Sequence, residues 1–415
     1  MAAIIAGMAL VASAMLAPGV ASGEAGALAG EVGRFRPASP DYVVLKVPAS
    51  ASNDPIALLE KRHAQEPANE ALASDLAQLY LTRARAEREL RYFARAEALV
   101  RPWVANESAH SSTLKVQADL LQYRHDFDGA MALLDRAVAL DPRDPAARLM
   151  RASVKLVQGH ATEARADCAG VLAAGQAASG TICLAQVLGA TGGLARAEAL
   201  LEALLLRDRG TPGQDAARQL APGAPSESPA AMPASIRAWA LWLLADFSDR
   251  SGDAASAEVA LRAALQAAPE SEGIRSALSD LLLARGAHRE ALAMVDLRAP
   301  SVGLLARRAL AQQLLLDPAL VETTSQIHDL IALTNRRGDR PHLREEALIA
   351  LDVDHDAARA LDFAKANFET QRETIDIRLL VRAARATGDN ASFRAVAKWI
   401  HDTGYEDHEL TGVGT

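Results

Sequence analysis

Three aspartates alternate along the chain at Asp352, Asp354 and Asp356. This is the spacing of the opening ligands of a calcium loop, whose sixth residue is a turn glycine and whose twelfth is a bidentate glutamate. Ala357 and Phe363 occupy those two places. The triplet therefore predicts a polar turn between helices, and we expect no metal site.

Residue patterns typical of enzymes are missing from the sequence. It contains no H-E-x-x-H, no G-x-S-x-G and no glycine-rich phosphate loop, and its 10 histidines are dispersed. Gly189, Gly192 and Gly193 are close together, but their surroundings predict a turn between two helices. We therefore expect no catalytic residues and no cofactor, and the chain is predicted not to be an enzyme.

The composition favours helices and disfavours nucleic acid. Hydrophobic residues make up 50% of the chain but aromatic residues only 4%, and the strong helix formers alanine and leucine supply most of the rest. The net charge is −8, and the basic residues are scattered rather than gathered into the patch that nucleic acid requires. A chain of 415 residues also exceeds the size of a single compact core. We expect an all-α protein that is elongated or divided into domains.

A two-helix pattern recurs along the chain. In residues 114–142, small and large apolar residues alternate on two predicted helices, with a polar turn at 124–126. Numbered from Ser111, positions 4, 8, 11, 20, 24, 27 and 32 are Leu114, Ala118, Leu121, Ala130, Leu134, Ala137 and Pro142. Later copies at about this period contain Ala152, Ala164, Ala185, Ala197, Ala257, Leu261, Leu278 and Ala291, and an earlier, stretched copy contains Leu76, Ala77 and Ala96.

This pattern resembles the tetratricopeptide repeat (TPR), a helix pair of about 34 residues. The resemblance covers residues 69–210 and 236–300, and weaker helix pairs continue to about residue 404. It implies an α-solenoid of stacked antiparallel helix pairs, because one pair alone cannot bury its apolar faces.

The resemblance also implies a binding groove. In TPR families, positions 2, 5, 9, 12 and 13 of the first helix usually line the concave face. In the repeat that begins at residue 238 this rule selects Trp239, Trp242, Asp246, Asp249 and Arg250. In the repeat that begins at Ser111 it selects Ser112, Lys115, Asp119, Gln122 and Tyr123, and the strongest candidates of the two sets are Lys115, Asp119, Tyr123, Trp239, Trp242, Asp246 and Arg250. Aromatic residues and arginine beside acids suit a peptide or protein partner, whose identity the sequence does not give. The alternative is that both tryptophans belong to the core.

The two cysteines fall on neighbouring helices of the repeat pattern. Cys168 lies on the second helix of one pair and Cys183 on the first helix of the next. In an oxidising compartment they could form a disulfide. Otherwise they are two small buried hydrophobic residues in contact, and both alternatives stay open at this point.

The N-terminus has the features of an export signal. Residues 2–22 carry no charge, and small residues suited to a signal peptidase follow at Ala21, Ser22, Gly23 and Ala25, although no basic residue precedes the apolar run. We expect a signal peptide at 1–23, or else an uncleaved membrane anchor, since the run is about as long as one membrane-spanning helix.

The remaining boundaries follow from the repeats and from proline. We expect an extended N-terminal arm at 24–54, a first TPR block at 55–206 and a second at 235–300, degenerate helical repeats or a cap at 301–404, and a tail at 405–415. Residues 207–234 are rich in proline and glycine and so predict a linker or insert that divides the solenoid.

Together these features predict a non-enzymatic scaffold for protein–protein interactions, periplasmic or secreted in a bacterium. The alternative is an accessory or assembly subunit of an envelope complex, held at the membrane by an uncleaved N-terminus. Membrane contact is expected only in that second case.

Overall fold

The computed structural model describes residues 54–87, 90–106, 108–208, 232–295, 301–336 and 342–413. The predicted signal peptide and nearly all of the N-terminal arm lie outside the described residues, as does most of the predicted linker. In the described residues, no helix is long and apolar enough to cross a membrane.

The described residues form nineteen α-helices and one short 3-10 helix, His408–Leu410. The α-helices are α1 (Pro55–Gln65), α2 (Glu70–Glu87), α3 (Leu90–Val104), α4 (Ser111–Tyr123), α5 (Phe127–Leu140), α6 (Pro145–Val157), α7 (Ala161–Ala173), α8 (Ala177–Gly189), α9 (Leu194–Asp208), α10 (Ala234–Arg250), α11 (Ala254–Ala267), α12 (Glu272–Ala284), α13 (His288–Val295), α14 (Val302–Leu314), α15 (Leu320–Arg336), α16 (Leu343–Asp352), α17 (Ala357–Phe368), α18 (Thr374–Thr387) and α19 (Asn390–Thr403).

The helices after α1 stack as nine consecutive pairs, from α2–α3 to α18–α19. Most pairs are joined by short turns, so their helices run antiparallel. First helices of neighbouring pairs also contact each other, as α2 does α4, α6 does α8 and α12 does α14, whereas second helices of neighbouring pairs do so less. The first helices therefore form the inner layer. The chain folds as a TPR-type α-solenoid.

The turns within the pairs use recurrent chemistry. Several second helices begin at an aspartate whose carboxylate accepts a backbone N–H of the first turn, as Asp126 does for α5 and Asp253 for α11. The residue before the N-cap adopts a positive φ, which favours glycine, at Gly252 before Asp253 and also at Gly159 before His160, the N-cap of α7. His125 has φ +58° at the same place in the α4–α5 turn.

The small positions of the repeat are buried as predicted. Ala118, Ala130, Ala152, Ala164 and Ala257 are all 0% exposed. Because they lie where the two helices of a pair approach most closely, a larger side chain has no space there.

Ala130→Trp and Ala257→Trp are therefore each expected to lower the free energy of unfolding by about 1–3 kcal/mol. Ala132→Trp and Ala255→Trp are matched controls, because these two alanines lie on the same helices, α5 and α11, but are exposed. Thermal melts of the four variants measure the effect. Equal melting temperatures for buried and exposed variants would show that the repeat register is wrong.

The core does not divide at residues 207–234. One cluster of buried side chains extends from Leu149 to Ala291, and α9 packs directly against α10. The Asp208 carboxylate joins the two ends, since it accepts the backbone N–H of Met232 at 2.7 Å and Nε of Arg237 at 2.6 Å. The cores of the two predicted TPR blocks are therefore continuous, because apolar faces on both sides of the proline-rich segment remain complementary, and of the two predicted alternatives this continuity favours an insert over a linker.

The described part of the segment that the sequence assigns to a tail, 405–415, packs against the helices. Tyr405, Asp407 and Leu410 are buried. Tyr405 and Leu410 join a second cluster, which begins at Leu305 and fills the interior of the helices from α14 to α19. Those helices continue the pairing, so the predicted degenerate helical repeats are present.

Candidate functional site

Three predicted groove residues lie on one face of α4, because their spacing of four residues keeps them aligned. We call Lys115, Asp119 and Tyr123 the α4 stripe. Tyr123 is 44% exposed, and its ring stacks on that of Phe93 with centroids 4.0 Å apart. The structure therefore leaves an aromatic surface at the end of the stripe.

Ion pairs with neighbouring helices hold the rest of the α4 stripe in place. Asp119 is buried and pairs with Arg85 of α2 at 2.6 Å. Nζ of Lys115 lies 2.5 Å from a carboxylate oxygen of Asp144, which caps α6. Burial opposes ionisation of Asp144, but the Lys115 ammonium and two backbone N–H groups hold its pKa below the usual value. Asp119 is only 3% exposed, so the prediction that it lines the groove was wrong, and it anchors the stripe from the interior. The accessible part of the stripe, Lys115 and Tyr123, is held in place rather than freely moving.

The four predicted groove residues of α10 do not form an open face. Trp239 is 4% exposed and belongs to the core, and Trp242 is half-buried against the same cluster. Arg250 is 3% exposed, and the carboxylate of Asp246 is 31% exposed. The prediction that Trp239 and Arg250 line a groove was therefore wrong. The reason is that α10 buries residues around its whole circumference, so the repeat position does not decide exposure.

Arg250 instead binds a segment that returns from the C-terminus. Its Nη2 donates to the carbonyl of Gly189 at 2.5 Å, and its Nε donates to the carbonyl of Glu406 at 3.0 Å. Its guanidinium lies 4.0 Å from the ring centroid of Tyr405. The side chain thus connects α8, α10 and the chain after α19.

This contact extends over several turns, and we call it the seam. Its repeat side consists of the ends of α4, α6, α8 and α10 with the turns that follow them. Its other side consists of residues 371–378 and 404–408. Across the seam, the backbone N–H of Arg372 donates to the carbonyl of Val157 at 2.8 Å, and Nη1 of Arg372 donates to the carbonyl of Gln158 at 3.0 Å.

Carboxylates of α10 bind the other half of the seam. The hydroxyl of Thr374 donates to Asp246 at 2.7 Å, and Nη1 of Arg378 donates to Asp249 at 2.6 Å. Burial disfavours the Arg378 cation, but Asp407, Asp249 and a nearby glutamate raise its pKa above the usual value. The backbone N–H of Leu194 in turn donates to Glu406 at 3.1 Å. The repeat positions selected Asp246 and Asp249, but sequence reasoning missed their partners Thr374 and Arg378 and the contact of Leu194 with Glu406, because none of these residues shares a repeat pattern with its partner.

His125 marks the end of the seam nearest the N-terminus. Its ring is hydrogen-bonded to the side chain of Gln371 and packs edge-on against the His342 ring, with ring centroids 5.8 Å apart. Burial lowers the pKa of His125 to about 4; Glu345 and Asp376 oppose this shift, whereas His342 and Arg344 add to it. This histidine is therefore neutral at pH 7.

The two cysteines, 15 residues apart, form a disulfide between α7 and α8, with their Cα atoms 5.3 Å apart. Cys168 and Cys183 are both buried. The disulfide restricts the conformations of the unfolded chain. For a loop of this length, this restriction raises the free energy of unfolding by about 3 kcal/mol in the chain-entropy model.

Cys168→Ala/Cys183→Ala is expected to lower the free energy of unfolding by about this amount. Urea unfolding of the variant and the wild-type chain without reductant measures this loss. Unfolding of the wild-type chain with reductant is the control, because it breaks the disulfide but keeps both cysteine side chains in the core. An unchanged midpoint in both cases would contradict a stabilising disulfide.

The three aspartates Asp352, Asp354 and Asp356 form ion pairs and a helix cap at the turn between α16 and α17. Asp352 binds Arg382, Asp354 binds Arg359, and Asp356 caps α17 through the backbone N–H of Arg359. Within the described part of the chain, no group of three or more His, Cys, Asp or Glu residues is placed to hold a metal ion.

Comparisons with known proteins give distant structural similarity alone. No protein-family profile and no curated protein matches the sequence. Among solved structures, the human IFIT1 dimer with PPP-AAAA is 13% identical with a TM-score of 0.42, covering 86% of this chain and 92% of that one. The TPR domain of P58(IPK) is 15% identical with a TM-score of 0.23, covering 75% and 98%. At these TM-scores the neighbours add nothing to what the chain's own helix pairing establishes.

Proposed function

We propose that this chain is a non-enzymatic scaffold that binds a peptide or protein partner through the α4 stripe. The observation that carries the proposal is Tyr123, an aromatic side chain that is 44% exposed yet stacked on Phe93. Exposed aromatic residues held rigidly beside charged groups are typical anchors of protein interfaces.

The charges beside Tyr123 support this assignment. The ion pairs of Lys115 and Asp119 with neighbouring helices fix the polar groups before a partner arrives, which lowers the entropic cost of binding.

Site-specific cross-linking tests the proposal. A photoreactive phenylalanine analogue at Tyr123 is expected to form a discrete cross-linked product with a partner in an extract of the native host. The same analogue at Val259 is the control, because Val259 is 70% exposed but lies on the second helix of its pair. Equal products at both positions, or none at Tyr123, would contradict the assigned face.

We further propose that the chain works in an oxidising compartment, as a periplasmic or secreted bacterial protein. The disulfide between Cys168 and Cys183 supports this, since disulfides persist in such compartments and are rare in the cytosol. Thiol alkylation in intact cells and the intact mass of the native chain test it. We expect oxidised cysteines and an N-terminus near residue 23. A retained N-terminus would favour the membrane-held accessory subunit, and reduced cysteines would contradict the proposed compartment.

A further inference from the structure

The seam joins two separately filled cores. The buried cluster from Leu149 to Ala291 lies on one side and the cluster from Leu305 to Leu410 on the other. Across the seam, the contacts are hydrogen bonds and ion pairs from helix ends together with the contact of Arg250 with the Tyr405 ring, whereas away from the seam α12 and α13 pack directly on α14. Among the described helices, none of α16–α19 packs along α4, α6, α8 or α10. Small polar contacts of this kind between separately filled cores permit relative motion.

The repeat side of the seam offers acceptors. Backbone carbonyls of Val157 and Gln158 take the N–H groups of Arg372, and carboxylates of Asp246 and Asp249 take Thr374 and Arg378. The donors therefore form a short sequence, Arg-x-Thr-x-x-x-Arg, at the start of α18.

The second guanidinium makes the most specific contact of the seam. Nη1 of Arg378 donates to Asp249 at 2.6 Å, while its Nε and Nη2 donate to Asp407 on its own side at 2.8 and 2.9 Å. Asp407 thus aims the guanidinium at the repeats. The carboxylate of Asp249 is 27% exposed, so it stays accessible when the seam opens.

We propose that residues 371–378 are an internal ligand that occupies this acceptor row, and that a partner segment displaces it by presenting two arginines six residues apart with a hydroxyl residue between them. This inference rests on the proposed scaffold function and adds a second, normally covered, binding surface. The solenoid is then closed in the free protein and open in the complex, because one row of acceptors cannot hold both segments.

Peptide binding to the full-length chain tests the displacement. The probe is a fluorescent synthetic peptide with the sequence of residues 369–380. Arg372→Gln/Arg378→Gln removes the two guanidinium donors, which frees the acceptors Gln158 and Asp249, and is expected to bind the peptide at least tenfold more tightly than the wild-type chain. Adding Asp249→Asn, which removes an acceptor of the peptide's second arginine, is expected to reverse most of that gain.

Arg382→Gln is the matched control. Arg382 lies one turn further along α18 but pairs with Asp352, inside the C-terminal helices. The Arg382→Gln variant should bind the peptide as weakly as the wild-type chain does. Equal peptide affinity of the wild-type chain and the double variant, or no effect of Asp249→Asn, would overturn the proposal.

Hydrogen exchange gives a second readout that needs no variant. The amide of Arg372 is bonded across the seam to Val157, so a large excess of peptide should speed its exchange in the wild-type chain. Exchange that stays unchanged at saturating peptide would also overturn displacement. Tyr123 ends α4 beside the seam, but the cross-linking detects an external partner at its exposed ring, whereas the peptide assay detects occupation of Gln158 and Asp249. Failure of the proposed function is therefore distinguished from failure of this inference.

Discussion

Arg250→Ala is expected to lower the free energy of unfolding by about 3–5 kcal/mol. The guanidinium is almost completely buried and bonded to the carbonyls of Gly189 and Glu406. Its removal leaves the buried carbonyl of Gly189 without this donor, at a cost of about 1–3 kcal/mol, and also removes the donor to the partly buried carbonyl of Glu406. It also removes the cation–π contact with Tyr405, which lies 4.0 Å from the guanidinium.

Two further variants sharpen this test. Arg262→Ala on α11 removes a guanidinium that is 38% exposed and pairs with Glu258, so it should change stability by less than about 1 kcal/mol. Arg250→Lys should recover little of the loss, because a single ammonium cannot reach both carbonyls in the geometry of the planar guanidinium. Urea unfolding of the three variants measures the differences. If Arg250→Ala were as stable as Arg262→Ala, Arg250 would not hold the seam.

The repeat could be predicted from the sequence because its determinants are local. Small residues such as Ala118 and Ala130 are needed where the two helices of a pair meet. They therefore occur in the sequence at a nearly constant spacing. The four C-terminal helices also follow from local apolar spacing and from caps such as Asp356 and Asp389. These signals need no knowledge of distant contacts.

The seam could not be predicted in this way. Arg372 and Gln158 are 214 residues apart, and Arg378 and Asp249 are 129 residues apart, with no periodicity that relates them. The groove rule failed at Arg250 for the same reason. A repeat position states which side of a helix faces inward, but not whether another part of the chain returns to cover it.

The seam also changes what kind of solenoid this is. In a simple repeat array each pair contacts only its neighbours, so its stability is close to a sum of local terms. Here Arg250 and Arg378 connect α8 and α10 to residues that follow α18. The bonds of the seam are thus long-range contacts that are additional to the packing within the two cores.

Acidification is expected to destabilise the protein through His125. The folded-state pKa is lowered to about 4, whereas an unperturbed histidine has a pKa of about 6.5. The unfolded chain therefore binds the proton first, and stability that is fully present above pH 6.5 is lost as the pH falls towards 4. The shift corresponds to at most about 3 kcal/mol.

His125→Asn isolates this contribution. Asparagine tolerates the left-handed backbone of His125, at φ +58°, and does not titrate. The groups that face His125, namely His342, Arg344, Glu345 and Asp376, remain in the variant, so most of their own contributions cancel in the difference. Urea unfolding at pH 7 and pH 4.5 should show the wild-type chain losing about 2 kcal/mol more than the variant. Because His125 is hydrogen-bonded to Gln371, hydrogen exchange of the Arg372 amide should also become faster on acidification in the wild-type chain alone. If the free energy of unfolding changed with pH in the same way in both proteins, another group would be responsible for the acid destabilisation, and His125 would not couple pH to the seam.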